Sequence, residues 1–222
     1  HFLQFQRTAI VGGLVRDIAR RGAKHFKSDV DLVIHSDPEE VLNLARKLGA
    51  TPNRFGGFSY RHPQWKIDFW ALESTWAFKQ GLVEVASIRD VVKCTFFDCD
   101  SIIYELQNRQ IFASENYLSR LQNRVVEINL PENPSLEGNL LRAIRRIALW
   151  DFEPGPCLRS FISTQLTDAA LSSICATERQ LYELSVTATA SNAAELLDNL
   201  LVKNKRRTFS TNFAEQIALP GV

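Results

Sequence analysis

Thr8-Ala9-Ile10-Val11-Gly12-Gly13-Leu14-Val15-Arg16-Asp17 leads, past residues 18–27, into Ser28-Asp29-Val30-Asp31-Leu32-Val33-Ile34. In the first stretch apolar residues run into paired glycines. Leu14, Val15, Ile18 and Ala19 then recur at helical spacing, which predicts a strand or short helix, a tight glycine turn and a helix. The second stretch alternates polar and apolar and then becomes continuously apolar, the pattern of a core strand. On a strand Asp29 and Asp31, two apart, point to the same side. Two carboxylates held together are costly unless a cation lies between them. Hard divalent ions such as magnesium favour such oxygen donors.

The neighbouring sequence extends this arrangement. Ser36-Asp37-Pro38-Glu39-Glu40 has a capping residue, a first-turn proline and acids at the positive end of a helix. Val41, Leu42, Leu44, Ala45 and Leu48 give that helix its apolar face, and Gly49 stops it. Phe55–Tyr60 and Trp65–Trp70 read as two strands joined around His62-Pro63. Asp68 sits on the second of them between Ile67 and Phe69. An acid in apolar surroundings needs a partner, and a shared metal site supplies one. Gly12 and Gly13 leave room for a phosphate beside a helix N-terminus, and Arg16 adds a guanidinium one turn later. Each piece has a plainer explanation alone: a turn, a solvated strand end, an edge-strand acid, an exposed Arg16–Asp17 pair. Their joint occurrence, in this order, points to a phosphate cradle beside a two-metal carboxylate site, the equipment of nucleotidyl transfer.

Residues 82–111 carry a short helix and strand-like runs, with Phe96, Phe97, Ile102, Ile103 and Tyr104 expected inside. Past Pro131 and Pro134 the texture changes, and Leu140, Leu141, Ile144, Ile147 and Ala148 mark a helix face. An α/β domain over 1–130 and a helical domain over 131–222 follow from this. Hydrophobic residues make up 45% and charged residues 23% of the 222, which excludes a disordered chain or a rod. Lys plus Arg number 26 against 25 acids, so nucleic acid would have to be met by a local patch. Lys203-Asn204-Lys205-Arg206-Arg207 is one candidate, although a solvated helix end explains it more simply. The aromatics Phe55, Phe58, Tyr60, Trp65, Phe69, Trp70, Trp76 and Phe78 are expected mostly in the core. No apolar run is long enough to span a bilayer, and no signal segment opens the chain. The four cysteines and four histidines are too scattered for a zinc site. A cytoplasmic protein with reduced thiols and no membrane partner is the expectation.

Gly12-Gly13-Leu14-Val15-Arg16-Asp17 followed by Ser28-Asp29-Val30-Asp31-Leu32 resembles the head of class II nucleotidyltransferases. These are the bacterial poly(A) polymerases and CCA-adding enzymes of the DNA polymerase beta superfamily. The resemblance implies a polymerase-beta-like α/β (α+β) head with a five-stranded mixed sheet and a helical neck. It implies two magnesium ions held by Asp29 and Asp31, with Asp68 as the third catalytic carboxylate. A nucleoside triphosphate, ATP first among them, would lie against Gly12, Gly13, Arg16 and Asp17. The acceptor would be a hydroxyl, an RNA 3′ end being the family's own. Thr95-Phe96-Phe97-Asp98-Cys99-Asp100-Ser101-Ile102-Ile103-Tyr104 stands where the family has Arg-Arg-Asp-Phe-Thr-x-Asn. Only the apolar run and Tyr104 match. Val125-Val126-Glu127-Ile128 and Leu140–Ala148 resemble the approach to the neck helix and the helix itself, where Arg142 and Arg145 would read the base or else pair with acids such as Glu137. The alternative reading is a non-catalytic nucleotide- or RNA-binding protein that retains the fold.

Overall fold

Arg7–Val11 forms β1 and runs straight into the glycine pair. The computed structural model describes residues 1–22 and 29–202. Gly12 has φ +62°, a left-handed value that side chains disfavour, and the chain turns there into α1, Gly13–Arg21. The Gly12 amide donates to the Ile102 carbonyl at 2.8 Å, which ties the turn to a neighbouring strand. Then come β2 (Val30–His35) and α2 (Pro38–Leu48). The Asp37 carboxylate caps α2 by accepting from the Glu39 amide at 2.7 Å, and Gly49 closes it in the left-handed conformation.

β3 (Thr51–Pro52), β4 (Phe58–His62), β5 (Trp65–Ala71) and the short α3 (Trp76–Lys79) follow. β6 (Ile102–Glu105), β7 (Gln110–Ala113) and α4 (Tyr117–Gln122) come next. The strand order is β3-β4-β5-β2-β1-β6-β7. β2 and β5 run parallel and the other neighbours antiparallel, so the sheet is mixed. Seven strands replace the five that the resemblance implies, because β3 at one edge and the hairpin partner β7 at the other widen it.

Both faces of the sheet are buried. Ala9, Val11, Val33, Leu72 and Ile103 pack on one side against Ile88 and Val91 of the 3-10 segment Ile88–Cys94. Leu32, Ile34, Phe69 and Ala71 pack on the other against Val41, Leu44 and Ala45 of α2. Phe96 and Phe97 are buried as expected, while Tyr104 is half-buried. Of the aromatics assigned to the core, Phe69 is fully buried, whereas Phe55, Trp65 and Phe78 stand exposed.

The described residues fall into two compact units. The first holds His1–Tyr117 and Asn129–Glu132. The second holds Leu118–Ile128 and the described residues from Asn133 on. In the second unit β8 (Val125–Val126) pairs in parallel with β9 (Glu153–Pro154). Its helices are α5 (Leu136–Trp150), α6 (Pro156–Gln165), α7 (Asp168–Leu181) and α8 (Ala193–Leu201). Leu140, Leu141, Ile144, Ile147 and Ala148 form the buried stripe of α5. The Glu127 carboxylate accepts the amides of Cys157 at 3.0 Å and Leu158 at 2.6 Å, which satisfies the open N-terminus of α6. No helix among the described residues is long and apolar enough to cross a membrane. The basic cluster at 203–207 lies outside the described residues.

Candidate active site

Parallel pairing of β2 with β5 sets Asp31 directly beside Asp68. Both side chains project on the sheet face that also carries Val33 and Trp70, since residues two apart on a strand share a face. Asp29 lies just before β2 and is exposed. Asp31 is half-buried, and its carboxyl is pushed up from 3.8 to about 7. Burial is the first cause, and repulsion by the Asp68 and Asp29 carboxylates follows. Crowded acids of this kind mark a place where the chain stores unmet demand for positive charge.

Part of that demand is met from within. The Lys66 ammonium donates to the Asp29 carboxylate and, at 3.3 Å, to Asp68 Oδ2. Its own pKa is raised by the bond to Asp29, against the opposing effect of burial. The Ser59 hydroxyl, opposite Asp68 on β4, donates to Asp68 Oδ1 and holds that carboxylate in one orientation. Among the described residues no three acidic, histidine or cysteine side chains are already grouped as a metal cage. The donors themselves are hard carboxylate oxygens from adjacent strands, with excess negative charge at Asp31. That chemistry fits a divalent cation such as magnesium.

A charged cluster flanks the glycine turn. Arg16, almost fully buried, donates through Nε to Asp17 Oδ1 at 2.9 Å and through Nη1 to the Asp100 carboxylate. Burial alone would lower its pKa, but Asp100 and Asp17 more than offset that and hold it charged. Arg16 and Asp17 thus form an internal buttress between α1 and the segment before β6. Gly12 is held close to that buttress: a β-carbon there would lie 3.4 Å from the Asp100 carbonyl. Gly13 opens α1, whose first amides have no partner inside the helix.

Arg142 and Arg145 lie on α5 in the second unit. Arg142 is exposed and donates to Asn139 Oδ1 at 2.9 Å. Arg145 donates to the buried Glu178 carboxylate and to the Leu184 carbonyl at 2.7 Å, and stacks 3.7 Å over the Tyr182 ring. Its guanidinium is engaged within its own unit. An acid does pair with it, Glu178 instead of Glu137, which accepts from the Ser173 hydroxyl at 2.9 Å.

Sequence inspection missed Ser59, Lys66 and Asp100. The first two were within reach: a two-residue turn at 63–64 pairs His62 with Trp65, and counting back sets Arg61 opposite Lys66 and Ser59 opposite Asp68. Asp100 carries no local signal for its bond to Arg16.

No family model matches the chain, and no curated protein matches it. Solved structures do match its fold. A tRNA nucleotidyltransferase complexed with a primer tRNA and an incoming ATP analogue aligns with 86% of the chain at TM-score 0.55 and 22% identity, over 56% of its own length. A tRNA-processing enzyme aligns with 86% at TM-score 0.57 and 21% identity, over 52% of its length. The Thermotoga maritima CCA-adding enzyme complexed with tRNA aligns with 81% at TM-score 0.53 and 20% identity, over 44% of its length. The chain spans between 44% and 56% of these structures. The likeness is one of fold: the first unit has the mixed-sheet nucleotidyltransferase head architecture of CCA-adding enzymes.

Proposed function

We propose that the chain transfers a nucleoside monophosphate from a nucleoside triphosphate to a hydroxyl acceptor. The observation that carries this reading is the in-register pair Asp31–Asp68, with the Asp31 carboxyl driven to about 7 by burial and by its acidic neighbours. Such a pair is a liability for folding and an asset for holding cations at a reacting phosphate. Asp31 and Asp68 would hold a divalent ion, with Asp29 at the mouth of the site. When bound, the ion supplies Lewis-acid stabilisation of charge on the transferred phosphate and on pyrophosphate.

The chain's own groups do the rest. The first amides of α1, which have no partner inside the helix and are reached over Gly12 and Gly13, would offer donors to the triphosphate. Asp68, oriented by Ser59, would take up the proton of the attacking hydroxyl. The hydroxyl oxygen forms a bond to the α-phosphorus as the bond to pyrophosphate breaks, and pyrophosphate carries off the electron pair. Arg16 acts at a distance by holding the glycine turn, not by touching phosphate. The acceptor we favour is an RNA 3′ end, because the fold neighbours include structures complexed with tRNA.

Two features favour the rival reading, a nucleotide- or RNA-binding protein without turnover. Arg16 is engaged by Asp17 and Asp100, and Lys66 already compensates Asp29 and Asp68. A pyrophosphate-release assay with each of the four labelled triphosphates, magnesium, and RNA or small-molecule acceptors separates the two. Transfer that drops at least about 100-fold in Asp31→Asn, ~2.7 kcal/mol of transition-state stabilisation, supports the enzyme. Triphosphate binding without any pyrophosphate release supports the binding protein and refutes the enzyme.

A further inference from the structure

Lys66 is a cation placed among three acids on a sheet face. Its ammonium bridges Asp29 and Asp68, and Asp31 lies next to Asp68 in register. A lone exposed ion pair contributes little to stability. One ammonium serving two carboxylates, with a third alongside, is a different case, because without it the three acids repel one another with no compensation. Lysine suits a temporary post better than arginine does. Its charge is a compact point on a flexible four-carbon stem, and it holds no fixed bidentate geometry. At 39% side-chain exposure it has room to swing into solvent.

We propose that Lys66 is a resident counter-ion of the carboxylate site. It holds Asp29 and Asp68 in place while no metal is bound, and a divalent cation must displace it. The inference rests on the functional reading above for the presence of a metal at these acids. Its consequence is a metal affinity weaker than the carboxylates alone would give, because binding must first break the contacts to Lys66. Arg61 supplies the control. It is exposed, directly opposite Lys66 across the β4–β5 hairpin and therefore on the same face, so its removal changes the local charge by the same amount.

The experiment is a titration with manganese(II) alone, followed by calorimetry and by the loss of the free-ion paramagnetic signal. It compares the full chain with Lys66→Gln, Arg61→Gln and Asp31→Asn. Lys66→Gln should bind manganese about tenfold tighter, ~1.4 kcal/mol, and Arg61→Gln should tighten it far less. Binding that appears only in Lys66→Gln supports the same conclusion. Equal tightening in both glutamine variants would mean that only the local field matters, and it would overturn the proposal. Unchanged or weaker binding in Lys66→Gln overturns it too. If wild-type binding is nevertheless abolished by Asp31→Asn, the functional reading survives that loss. Absence of binding in every variant removes both.

Discussion

Asp31 concentrates the electrostatics of the candidate site in one carboxyl. Its pKa is 3.8 in ordinary surroundings and about 7 in the folded chain. Between these values the folded state holds more protons than the unfolded one. The stability contribution of Asp31 is therefore fully present at low pH and is lost as pH rises towards 7. In chelator, the melting temperature of wild type relative to Asp31→Asn should fall across about pH 4 to about pH 7. A constant difference over that range would mean that Asp31 feels neither burial nor its neighbours. Addition of magnesium should restore the lost stability at neutral pH in wild type and leave Asp31→Asn unmoved, since a ligand that binds only the native state raises its stability.

The turn from β1 into α1 shows how a local signal is given a long-range support. Gly12 takes a left-handed conformation, and a β-carbon there meets the backbone of Asp100 at the edge of tolerable contact. Gly12→Ala should cost about 1 kcal/mol or somewhat more in urea unfolding, from backbone strain and crowding combined. The Arg16–Asp100 pair fastens the same turn from beneath. Asp100→Ala removes an acidic partner from the buried Arg16 guanidinium, and should cost about 3–5 kcal/mol. A cost under about 1 kcal/mol in denaturant titration would show the pair to be an ordinary surface contact. The β4–β5 hairpin is organised the other way round, with its tight turn alone setting the register that brings Ser59 to Asp68.

At the scale of the molecule, the second unit is tied together by one buried carboxylate. In the second unit Glu178 Oε2 accepts the Val186 amide at 3.0 Å, the Thr187 amide at 2.8 Å, the Thr187 hydroxyl at 2.6 Å and the Ser185 hydroxyl at 3.0 Å. Arg145 completes that cluster from α5, so α5, α7 and the segment after α7 meet at one carboxylate. Arg145→Ala should therefore destabilise the second unit, and turnover with the four triphosphates should fall in common, their ratios staying within about twofold, ~0.4 kcal/mol. A tenfold change in one ratio alone would restore Arg145 as a reader of the base. Glu178→Ala should be still more damaging, about 3–5 kcal/mol, because it strands Arg145 and several donors together.

Much of the framework is legible in short stretches. The glycine turn, the Asp37 cap, the Gly49 stop and the α5 stripe each depend on dihedral freedom, capping chemistry or periodicity within a few residues. The chain carries those constraints wherever it folds. The alternation that puts Asp31 on a strand is likewise local, lying within residues 28–34. The partners of the charges were not legible in the same way. Asp31 meets Asp68 because β2 and β5 pair in parallel, and that pairing follows from burying both faces of a central sheet. Arg16 meets Asp100 and Arg145 meets Glu178 across 84 and 33 positions. A buried charge takes whichever opposite charge the packing brings within reach, and spacing along the chain does not encode that choice. The sequence left the acidic partners of Arg16 and Arg145 open, and packing chose Asp100 and Glu178.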